Sequence, residues 1–367
     1  MSVTLNGTSG LVFSDGTIQG TAGAMAFRNR IINGAFEIWQ RGTARTLLGS
    51  GTPYLADRWN GCQGFQNGAH QRVAMSSAPA DLSSQYAMRV SSSTTAEAAG
   101  GTRIDCSQKI ESINCYDLAG KSITVSFWMR ASAATFTSVT NTTESNFGAW
   151  TARVQYNTST TDSGVSTDTG NGSTTVTAVT GTNAAIGGTN LLIANGSLPT
   201  TWTKYTFTST VPANTKNLTL RFASTSLGNT ASADTVWYEV AEVQLERGSA
   251  ATDFERRPIV TELAMCQRYY NQAKTGAYPG AFAFISMTTN STIGSLSFPV
   301  TMRSTPTVAI SWLGVANNMG NVSSAVAVTA VPAQVWWTKD GILGVQANSP
   351  FIAGIGYGFD YTASAEL

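Results

Sequence analysis

The single histidine, His70, and the scattered acidic residues limit the catalytic chemistry that this sequence could support. Nucleophilic systems that pair Ser or Cys with an imidazole have only His70 to use, and no cluster of histidines can bind a metal. We predict that His70 is an ordinary polar residue in a loop. Cleavage of a glycosidic bond needs two carboxylates about 5–10 Å apart, and the sequence singles out no such pair. These residues therefore predict a protein that is not an enzyme.

The aromatic residues are better suited to binding, because the chain has nine Trp and eleven Tyr. Flat aromatic faces stack on the apolar side of sugar rings, while amides, carboxylates and arginines bond the hydroxyls. The tryptophans in regular strands or framework segments are predicted to be core residues: Trp39, Trp59, Trp128, Trp237 and Trp312. Those at strand ends or beside polar loops are the carbohydrate-binding candidates: Trp150, Trp202, Trp336 and Trp337. Adjacent residues of a strand face opposite ways, so we expect one of the last two to be exposed.

The four cysteines, Cys62, Cys106, Cys115 and Cys266, have no metal-type spacing. No basic segment and apolar run mark a signal peptide at the N-terminus, so we expect synthesis in a reducing cytoplasm with cysteines in the core. A Cys106–Cys115 bridge across a turn stays open. No apolar stretch approaches the roughly 18 residues of a membrane span. The basic residues form no stripe with interleaved aromatics, so we expect neither membrane insertion nor nucleic-acid binding.

Composition and strand patterns predict an all-β protein. Charged residues make up only 12% of the chain, and 22 basic against 21 acidic residues give a net charge of +1. Short segments bounded by turn residues predict strands at 85–90, 122–131, 150–156, 203–209, 217–222, 236–245, 281–286, 293–298, 307–312 and 334–338. Polar insertions at 138–148 and 157–190 are either a pair of long surface loops or an extra hairpin. Pro258 opens the one convincing helix, at 259–271, with Ile259, Leu263, Cys266 and Tyr270 on one stripe.

Residues 1–26 form two short apolar strands that are too rich in glycine to bury their own hydrophobic side chains. Identical strands of other copies are the most readily available partners. We therefore predict that this arm joins copies of the chain through Leu5, Leu11, Val12, Phe13 and Ile18. The alternative is a disordered leader.

Two distant segments resemble the first and last strands of a jelly roll of the carbohydrate-binding-module type. They are residues 29–42 (NRIINGAFEIWQRG) with 56–60 (ADRWN), and residues 236–249 (VWYEVAEVQLERGS) with 252–258 (TDFERRP). This form of jelly roll is found in bacteriophage tail-fibre and receptor-binding proteins. Residues 10–19 resemble the N-terminal arm of such proteins, which are trimers, and residues 302–308 resemble their C-terminal domains.

The resemblance also implies a structural calcium ion near the first and last strands, since such jelly rolls often carry one. Glu37 lies in the matching opening motif, and Glu239 or Glu242 lies on the matching late strand. Glu37 and Glu239 are therefore the calcium candidates. The alternative is that these carboxylates pair with Arg30, Arg41 or Arg58.

Together these observations predict an N-terminal oligomerising arm at 1–26, a jelly-roll β-sandwich at 27–257, a connecting helix at 258–274 and a second, smaller β-sandwich at 275–367. The implied function is that of a homotrimeric phage tail fibre, made in the host cytoplasm, that attaches to a host surface polysaccharide and docks on other virion proteins through its arm. One alternative is a purely structural fibre or decoration protein. Another is a spike that depolymerises polysaccharide.

Overall fold

The computed structural model describes residues 4–6, 10–12, 18–19, 27–47, 54–63, 68–92, 104–132, 149–158, 177–178, 181–182, 191–194, 198–224, 237–274, 283–288, 291–312, 315–321, 327–328, 334–346 and 351–366. These residues form antiparallel sheets, two 3-10 turns and one α-helix, which confirms the predicted all-β class. No helix in the described ranges has the length and apolar character needed to span a membrane.

The strands up to residue 247 are β1 (Thr4–Asn6), β2 (Gly10–Val12), β3 (Ile18–Gln19), β4 (Ala44–Leu47), β5 (Asn60–Gln63), β6 (Gly68–Ala74), β7 (Tyr86–Ser92), β8 (Ile104–Ile110), β9 (Ser122–Ala131), β10 (Ala149–Asn157), β11 (Thr177–Ala178), β12 (Gly181–Thr182), β13 (Leu191–Ala194), β14 (Thr203–Thr210), β15 (Asn217–Ser224) and β16 (Trp237–Arg247). The 3-10 turns span Ser112–Asn114 and Tyr116–Leu118.

The later elements are helix α1 (Ile259–Gln267) and strands β17 (Tyr270–Ala273), β18 (Ala283–Ser286), β19 (Ser291–Ser297), β20 (Thr307–Trp312), β21 (Val315–Ala316), β22 (Met319–Asn321), β23 (Ala327–Val328), β24 (Gln334–Thr338), β25 (Gly341–Gln346), β26 (Gly356–Gly358) and β27 (Asp360–Ser364). All ten strands predicted from the sequence are present, with ends shifted by three residues at most.

The arm is a three-stranded antiparallel sheet in the order β1-β2-β3. Leu5 pairs with Leu11, and Val12 pairs with Ile18. The backbone of the arm therefore forms one strand more than the sequence predicted. Phe13 lies outside the described residues, and the oligomerising role of the arm stays a prediction.

Two sheets pack face to face in the first sandwich. Sheet I has the order β11-β10-β15-β8-β5 with β13 also paired to β10, and sheet II has the order β12-β14-β9-β16-β7-β6-β4. Alternate residues of β9 enter the core between them, as the sequence predicted: Ile123, Val125, Phe127 and Met129 are all fully buried. Of the polar insertions, residues 138–148 lie outside the described part of the chain. Residues 177–178 and 181–182 add β11 to sheet I and β12 to sheet II.

The two framework segments recognised in the sequence pack against each other. The backbone N–H of Arg30 donates to the carbonyl of Leu245, and that of Val243 donates to the carbonyl of Gly34. A Cβ atom at Gly34 would lie 2.2 Å from the carbonyl oxygen of Val243. Only glycine allows the backbone this close, so the opening motif needs Gly34 to reach β16.

Helix α1 is shorter than the sequence predicted, because it ends at Gln267 and not at residue 271. Tyr270 begins β17, which pairs with β27. Tyrosine favours strands, and this pairing satisfies backbone groups that a longer helix would have bonded internally. Of the predicted apolar stripe, Cys266 is buried whereas Ile259 is 52% exposed.

The second sandwich consists of sheet III, in the order β17-β27-β20-β21, and sheet IV, in the order β23-β22-β26-β18-β19-β25-β24. Its core includes Phe284, Leu296, Ile310, Ile342 and Tyr361, which come from both sheets. This confirms the prediction of a second, smaller β-sandwich after the helix. The predicted domain boundaries stay predictions.

Ion pairs and stacked rings join the two sandwiches. The carboxylate of Glu366 binds Arg41, at 3.0 Å, and Arg58. The guanidinium groups of these two arginines lie 3.5 Å from the ring centres of Tyr270 and Tyr269, respectively. Arg41 lies in the framework segment 29–42 and Arg58 lies in the framework segment 56–60. These segments of the first sandwich therefore also bind Tyr269, Tyr270 and Glu366, which follow it in the chain.

Candidate carbohydrate-binding surface

A row of polar side chains crosses the outer face of sheet II. Arg130 in β9 pairs with Glu239 in β16, Glu239 pairs with Arg89 in β7, and Arg89 pairs with Gln71 in β6. On either side of Glu239 along β16, Tyr238 and Val240 are buried in the core of the sandwich. Because side chains alternate along a strand, Glu239 and its row face away from that core.

Glu239 is fully buried although it lies on the outer face, since two arginines cover it. Arg89 donates to Oε1 from Nε at 2.9 Å and from Nη2 at 2.5 Å, and Arg130 donates to Oε2 from Nε at 2.6 Å. Charge-assisted bonds of this kind fix both guanidinium planes. With both oxygens engaged, Glu239 orients the arginines and is poorly placed to transfer a proton.

Trp237 forms the aromatic part of this surface. Its ring is only partly buried, and the guanidinium carbon of Arg89 lies 4.2 Å from its ring centre. Arg130 lies 5.8 Å from the same ring and 4.8 Å from the ring of Trp202. Such stacking holds cationic and aromatic groups side by side.

Residues 75–84 fold over one end of the outer face and form a wall. Arg130 donates to the carbonyl and the hydroxyl of Ser76, at 3.2 and 3.1 Å. The carboxylate of Glu242 accepts bonds from the backbone N–H groups of Ser83 and Ser84, at 2.8 and 3.0 Å. Glu242 has φ 47° and lies where the pairing of β16 with β9 shifts register, so a bulge turns its side chain toward this wall.

The outer surface defined by Gln71, Arg89, Arg130, Trp237 and Glu239 (the outer-face row) combines the groups that bind sugars. It offers an aromatic ring, two oriented guanidinium groups and a partly exposed amide at Gln71. Aromatic surface with a few fixed hydrogen-bonding groups is what a sugar site requires.

Two of the four predicted sugar-binding tryptophans are core residues, so their assignment was wrong. Trp150 is fully buried and stacks on Phe222, with ring centres 5.7 Å apart. Trp202 is 6% exposed, because residues 75–84 cover it, and its indole N–H donates to the carbonyl of Ser76. A position at the end of a strand did not predict an exposed side chain here, because the second sheet or a loop covers both strand ends.

Trp336 and Trp337 face opposite ways, as predicted. Trp336 is 45% exposed. Trp337 packs partly buried against the core of the second sandwich, and its indole N–H donates to the carbonyl of Pro306 at 2.6 Å. Sugar binding by Trp336 and by Trp337 stays a prediction, although the packing of Trp337 against the core makes it the weaker candidate of the two.

Both calcium candidates are paired with arginine. Glu239 binds Arg89 and Arg130, and Glu37 binds Arg256 at 2.6 Å. The alternative prediction, that these carboxylates pair with arginine, is therefore the one observed. The partners are Arg89, Arg130 and Arg256, and not Arg30, Arg41 or Arg58. Among the described residues, no group of three or more His, Cys, Asp or Glu could hold a metal ion. Calcium is not supported at Glu37 and Glu239, because each carboxylate already has a cationic partner.

His70 and three of the four cysteines lie in the interior of the protein. His70 lies in β6, not in a loop, and it is fully buried opposite Val90. Cys106, Cys115 and Cys266 are buried thiols that are not joined in a disulfide, so the Cys106–Cys115 bridge is absent. Burial raises the pKa of the Cys266 thiol well above its usual value.

The sequence analysis missed the outer-face row, because it assigned Trp237 to the core and did not single out Arg89 or Arg130. The alternation of residues along the strands could have indicated this row. Arg89, Arg130 and Glu239 each lie between two core residues of a strand, which places their side chains on the outer face. The order of the strands, which brings the three together, could not be read from that pattern.

No family model and no curated protein matches this chain. Among solved structures, the enzymatically active domain of tailspike protein 4 of bacteriophage CBA120 is 14% identical, with a TM-score of 0.32, over 60% of this chain and 22% of that one. The C-terminal family 22 carbohydrate-binding module of Clostridium thermocellum Xyn10B is 9% identical, with a TM-score of 0.29, over 53% and 89%.

A Stig cyclase of Fischerella sp. TAU is 12% identical, with a TM-score of 0.32, over 60% of this chain and 96% of that one. The match therefore spans less than a quarter of the tailspike chain but nearly all of the cyclase. TM-scores this low carry no argument about what this chain binds, and the proteins named differ in function.

Proposed function

We propose that this chain is a phage tail-fibre or receptor-binding protein that attaches without catalysis to a polysaccharide on the host surface. The outer-face row is the observation that carries the proposal, because it presents Trp237 beside two arginines held in place by a buried carboxylate. The resemblance of the framework segments to phage jelly rolls supplies the biological setting. In this proposal the protein is part of the virion.

Attachment of this kind gains strength from several copies of a site. A single sugar site on an open surface binds weakly, but sites on linked chains act together and raise the overall affinity. The proposed homotrimer would present three outer-face rows to one polysaccharide. Its arm would join the copies and dock on other virion proteins.

The decisive experiment measures binding of the full chain to immobilised capsule and lipopolysaccharide from a panel of bacteria. Trp237→Ala and Gln71→Ala should each weaken binding, the first by about tenfold, which corresponds to about 1.4 kcal/mol. Both side chains are partly exposed, so folding should be retained, as thermal unfolding will show. Tyr116→Ala is the matched control, because it removes an aromatic side chain that is 71% exposed and lies outside the outer-face row.

Each other outcome points to a defined alternative. Loss of binding with Trp336→Ala but not with Trp237→Ala would move the site to sheet IV, as the sequence predicted. No binding to any polysaccharide or whole cell would favour the purely structural fibre protein. Reducing ends released from the polysaccharide during incubation would instead support the depolymerase and contradict attachment without catalysis.

A further inference from the structure

The outer face of sheet IV carries an apolar stripe that its own chain leaves exposed. In register across five strands lie Gly356 (β26), Ile285 (β18), Ile293 (β19), Gly344 (β25) and Trp336 (β24). Ile285 and Ile293 are each 56% exposed and Trp336 is 45% exposed. Leu343, at the bulge between β24 and β25, is 50% exposed.

The other face of the same sheet is already a core. Phe284, Leu296, Ile342 and Val345 are buried in the second sandwich. An antiparallel sheet with one face in water normally alternates apolar and polar residues. Here the middle of the sheet is apolar on both faces, at Ile285, Ile293 and Trp336 on the outside, so this part of the outer face needs a cover of its own.

Glycine makes this outer face flat. A Cβ atom at Gly344 would lie 2.7 Å from Cε3 of Trp336, so the indole ring lies against the bare backbone of β25. The ring therefore rests along the sheet and does not project from it. Beside it, Ile293 and Leu343 form a low ridge.

The face is also without charge. Strands β18, β19, β24, β25 and β26 contain no Lys, Arg, Asp or Glu. Ser295 and Thr338, which share the parity of Ile293 and Trp336, supply the nearest polar side chains. Interface centres between proteins are poor in charge and rich in aromatic residues. By contrast, the outer-face row of sheet II carries three charged side chains.

We propose that the apolar stripe of Ile285, Ile293, Trp336 and Leu343 is where copies of this chain meet, with the stripes of the three chains of the proposed homotrimer gathered around its axis. An uncharged apolar face is complementary to itself, since no buried charge or unmatched donor results. A polysaccharide would leave its hydroxyl groups without partners against isoleucine and leucine. Flat faces of this kind can close around a symmetry axis.

The size of the stripe fits this role. Four half-exposed side chains present on the order of 400 Å², which is the size of the largest apolar patch on a typical monomer, and such patches are often functional. A stable interface buries about 800 Å² on each partner. The stripe would therefore be the centre of the interface, with serine and threonine at its rim. The interface goes beyond the proposed function, which does not depend on where the copies meet.

The test replaces Ile293 in the full chain with photoreactive benzoylphenylalanine and irradiates the purified protein. We expect covalently joined chains, with the linked peptides in residues 283–346 of another copy. The same replacement of Ile113, an isoleucine that is 65% exposed outside the stripe, should give several-fold less linkage. Leu343→benzoylphenylalanine is the second position if the first variant unfolds at a lower temperature than the unmodified protein.

The proposal fails if neither stripe position links two chains, or if the links map to the arm or the first sandwich of the other copy. It also fails if Trp336→Ala lowers retention on polysaccharide while neither position links, since the stripe would then bind sugar. These results are separable from the proposed function. Binding that depends on Trp237 can persist in a chain whose stripe meets no copy.

Discussion

Glu239 and Glu37 show how differently two carboxylates of one chain can be placed. Glu239 is fully buried between Arg89 and Arg130, whereas Glu37 is 24% exposed and pairs with Arg256, itself 40% exposed. Removing one partner of a buried ion pair leaves uncompensated charge, while an exposed pair is screened by water. The two residues therefore form a natural comparison.

We predict that Glu239→Ala lowers the free energy of unfolding by about 1.5–3 kcal/mol, because Arg89 and Arg130, which are 28% and 14% exposed, lose their charge-assisted bonds but keep some access to water. The reason is that two arginines lose the group that neutralises and orients them. Glu37→Ala should lower it by about 0–1 kcal/mol. Urea denaturation of the two variants and the unmodified protein measures both values. Equal effects of the two substitutions would contradict this account of Glu239.

The same placement predicts the response to calcium removal. Because arginines already neutralise Glu37 and Glu239, neither carboxylate should bind calcium, so a chelator or added calcium should change the melting temperature of Glu37→Ala and Glu239→Ala no differently from that of the unmodified protein. Differential scanning calorimetry in chelator and in millimolar calcium checks this. A rise in calcium that Glu37→Ala or Glu239→Ala abolishes would restore the ion that the sequence resemblance implied.

At the scale of elements, the segments that precede β4 and β5 and the segment that follows β27 meet through buried charges. Asp57 is 1% exposed, and its carboxylate accepts bonds from Nε2 of Gln40 at 2.6 Å and from Arg41 at 3.3 Å. Burial raises the pKa of Asp57 from 3.8 to about 7, and the nearby carboxylate of Glu366 adds to the rise. Arg41 lowers the pKa of Asp57, but the same guanidinium group also neutralises Glu366, so the net shift of the Asp57 pKa is upward.

This shift predicts that the protein loses stability as pH rises from about 4 to about 7. In that range folded Asp57 keeps a proton that the unfolded chain has released, so each step upward favours unfolding, by at most about 1.4 kcal/mol per pH unit. Above pH 7 the effect is constant. Asp57→Asn keeps the bond from Gln40 but cannot titrate. Urea denaturation at several pH values should show the unmodified protein losing stability relative to Asp57→Asn as the pH rises from about 4 to about 7, and parallel curves would exclude the shift.

Much of the element pattern could be predicted from the sequence, because alternation and turn residues are local signals. Ile123, Val125, Phe127 and Met129 were placed on one buried face, and they are there. The end of α1 was predicted too late, because apolar residues continue at helical spacing past Gln267. The chain instead enters β17, whose pairing with β27 joins residues far apart in the sequence, such as Tyr270 and Ser364. Trp150 was misjudged for the same reason: the partner strands that bury it cannot be read locally.

The candidate surface was less predictable than the fold. Arg89, Glu239 and Arg130 lie in three strands whose order in sheet II is not their order in the sequence. Each residue alone resembles an ordinary charged position on the outside of a strand. Their contact, and the stacking of Arg89 on Trp237, appear only once β16 is placed between β7 and β9.

At the scale of the whole molecule, Glu366 ties the second sandwich to the first through Arg41 and Arg58. We predict that Glu366→Ala separates the unfolding of the two sandwiches, because Arg58, which is 1% exposed, then keeps its charge without this carboxylate. Calorimetry should show the single transition broaden or split. Asp340→Ala removes an exposed carboxylate of the same sandwich and should leave the profile intact. A single unchanged transition in Glu366→Ala would show that the stacking of Arg41 on Tyr270 and of Arg58 on Tyr269 is enough to couple the unfolding of the two sandwiches.

The arm has its own test at this scale. We predict that the full chain is a homotrimer in solution, and that a chain beginning at Phe27 forms a weaker one, because it lacks the arm strands that are predicted to join the copies. Light scattering over a range of concentrations gives the masses. A monomer in both cases would remove the role proposed for Leu5, Leu11, Val12 and Ile18, and it would favour a single binding or decoration module.

The position of β16 has a consequence for biosynthesis. It is the last strand of its sandwich along the chain, yet it lies between β9 and β7 in the middle of sheet II. On the ribosome, the strand pair β14-β9 and the strands β7-β6-β4 are therefore synthesised before β16, the strand that joins them in sheet II. Until residue 247 leaves the exit tunnel, both inner edges offer unbonded backbone groups to any neighbouring strand. Crowded polysomes are where this protein would aggregate, and slowing elongation ahead of β16 should increase the aggregated fraction.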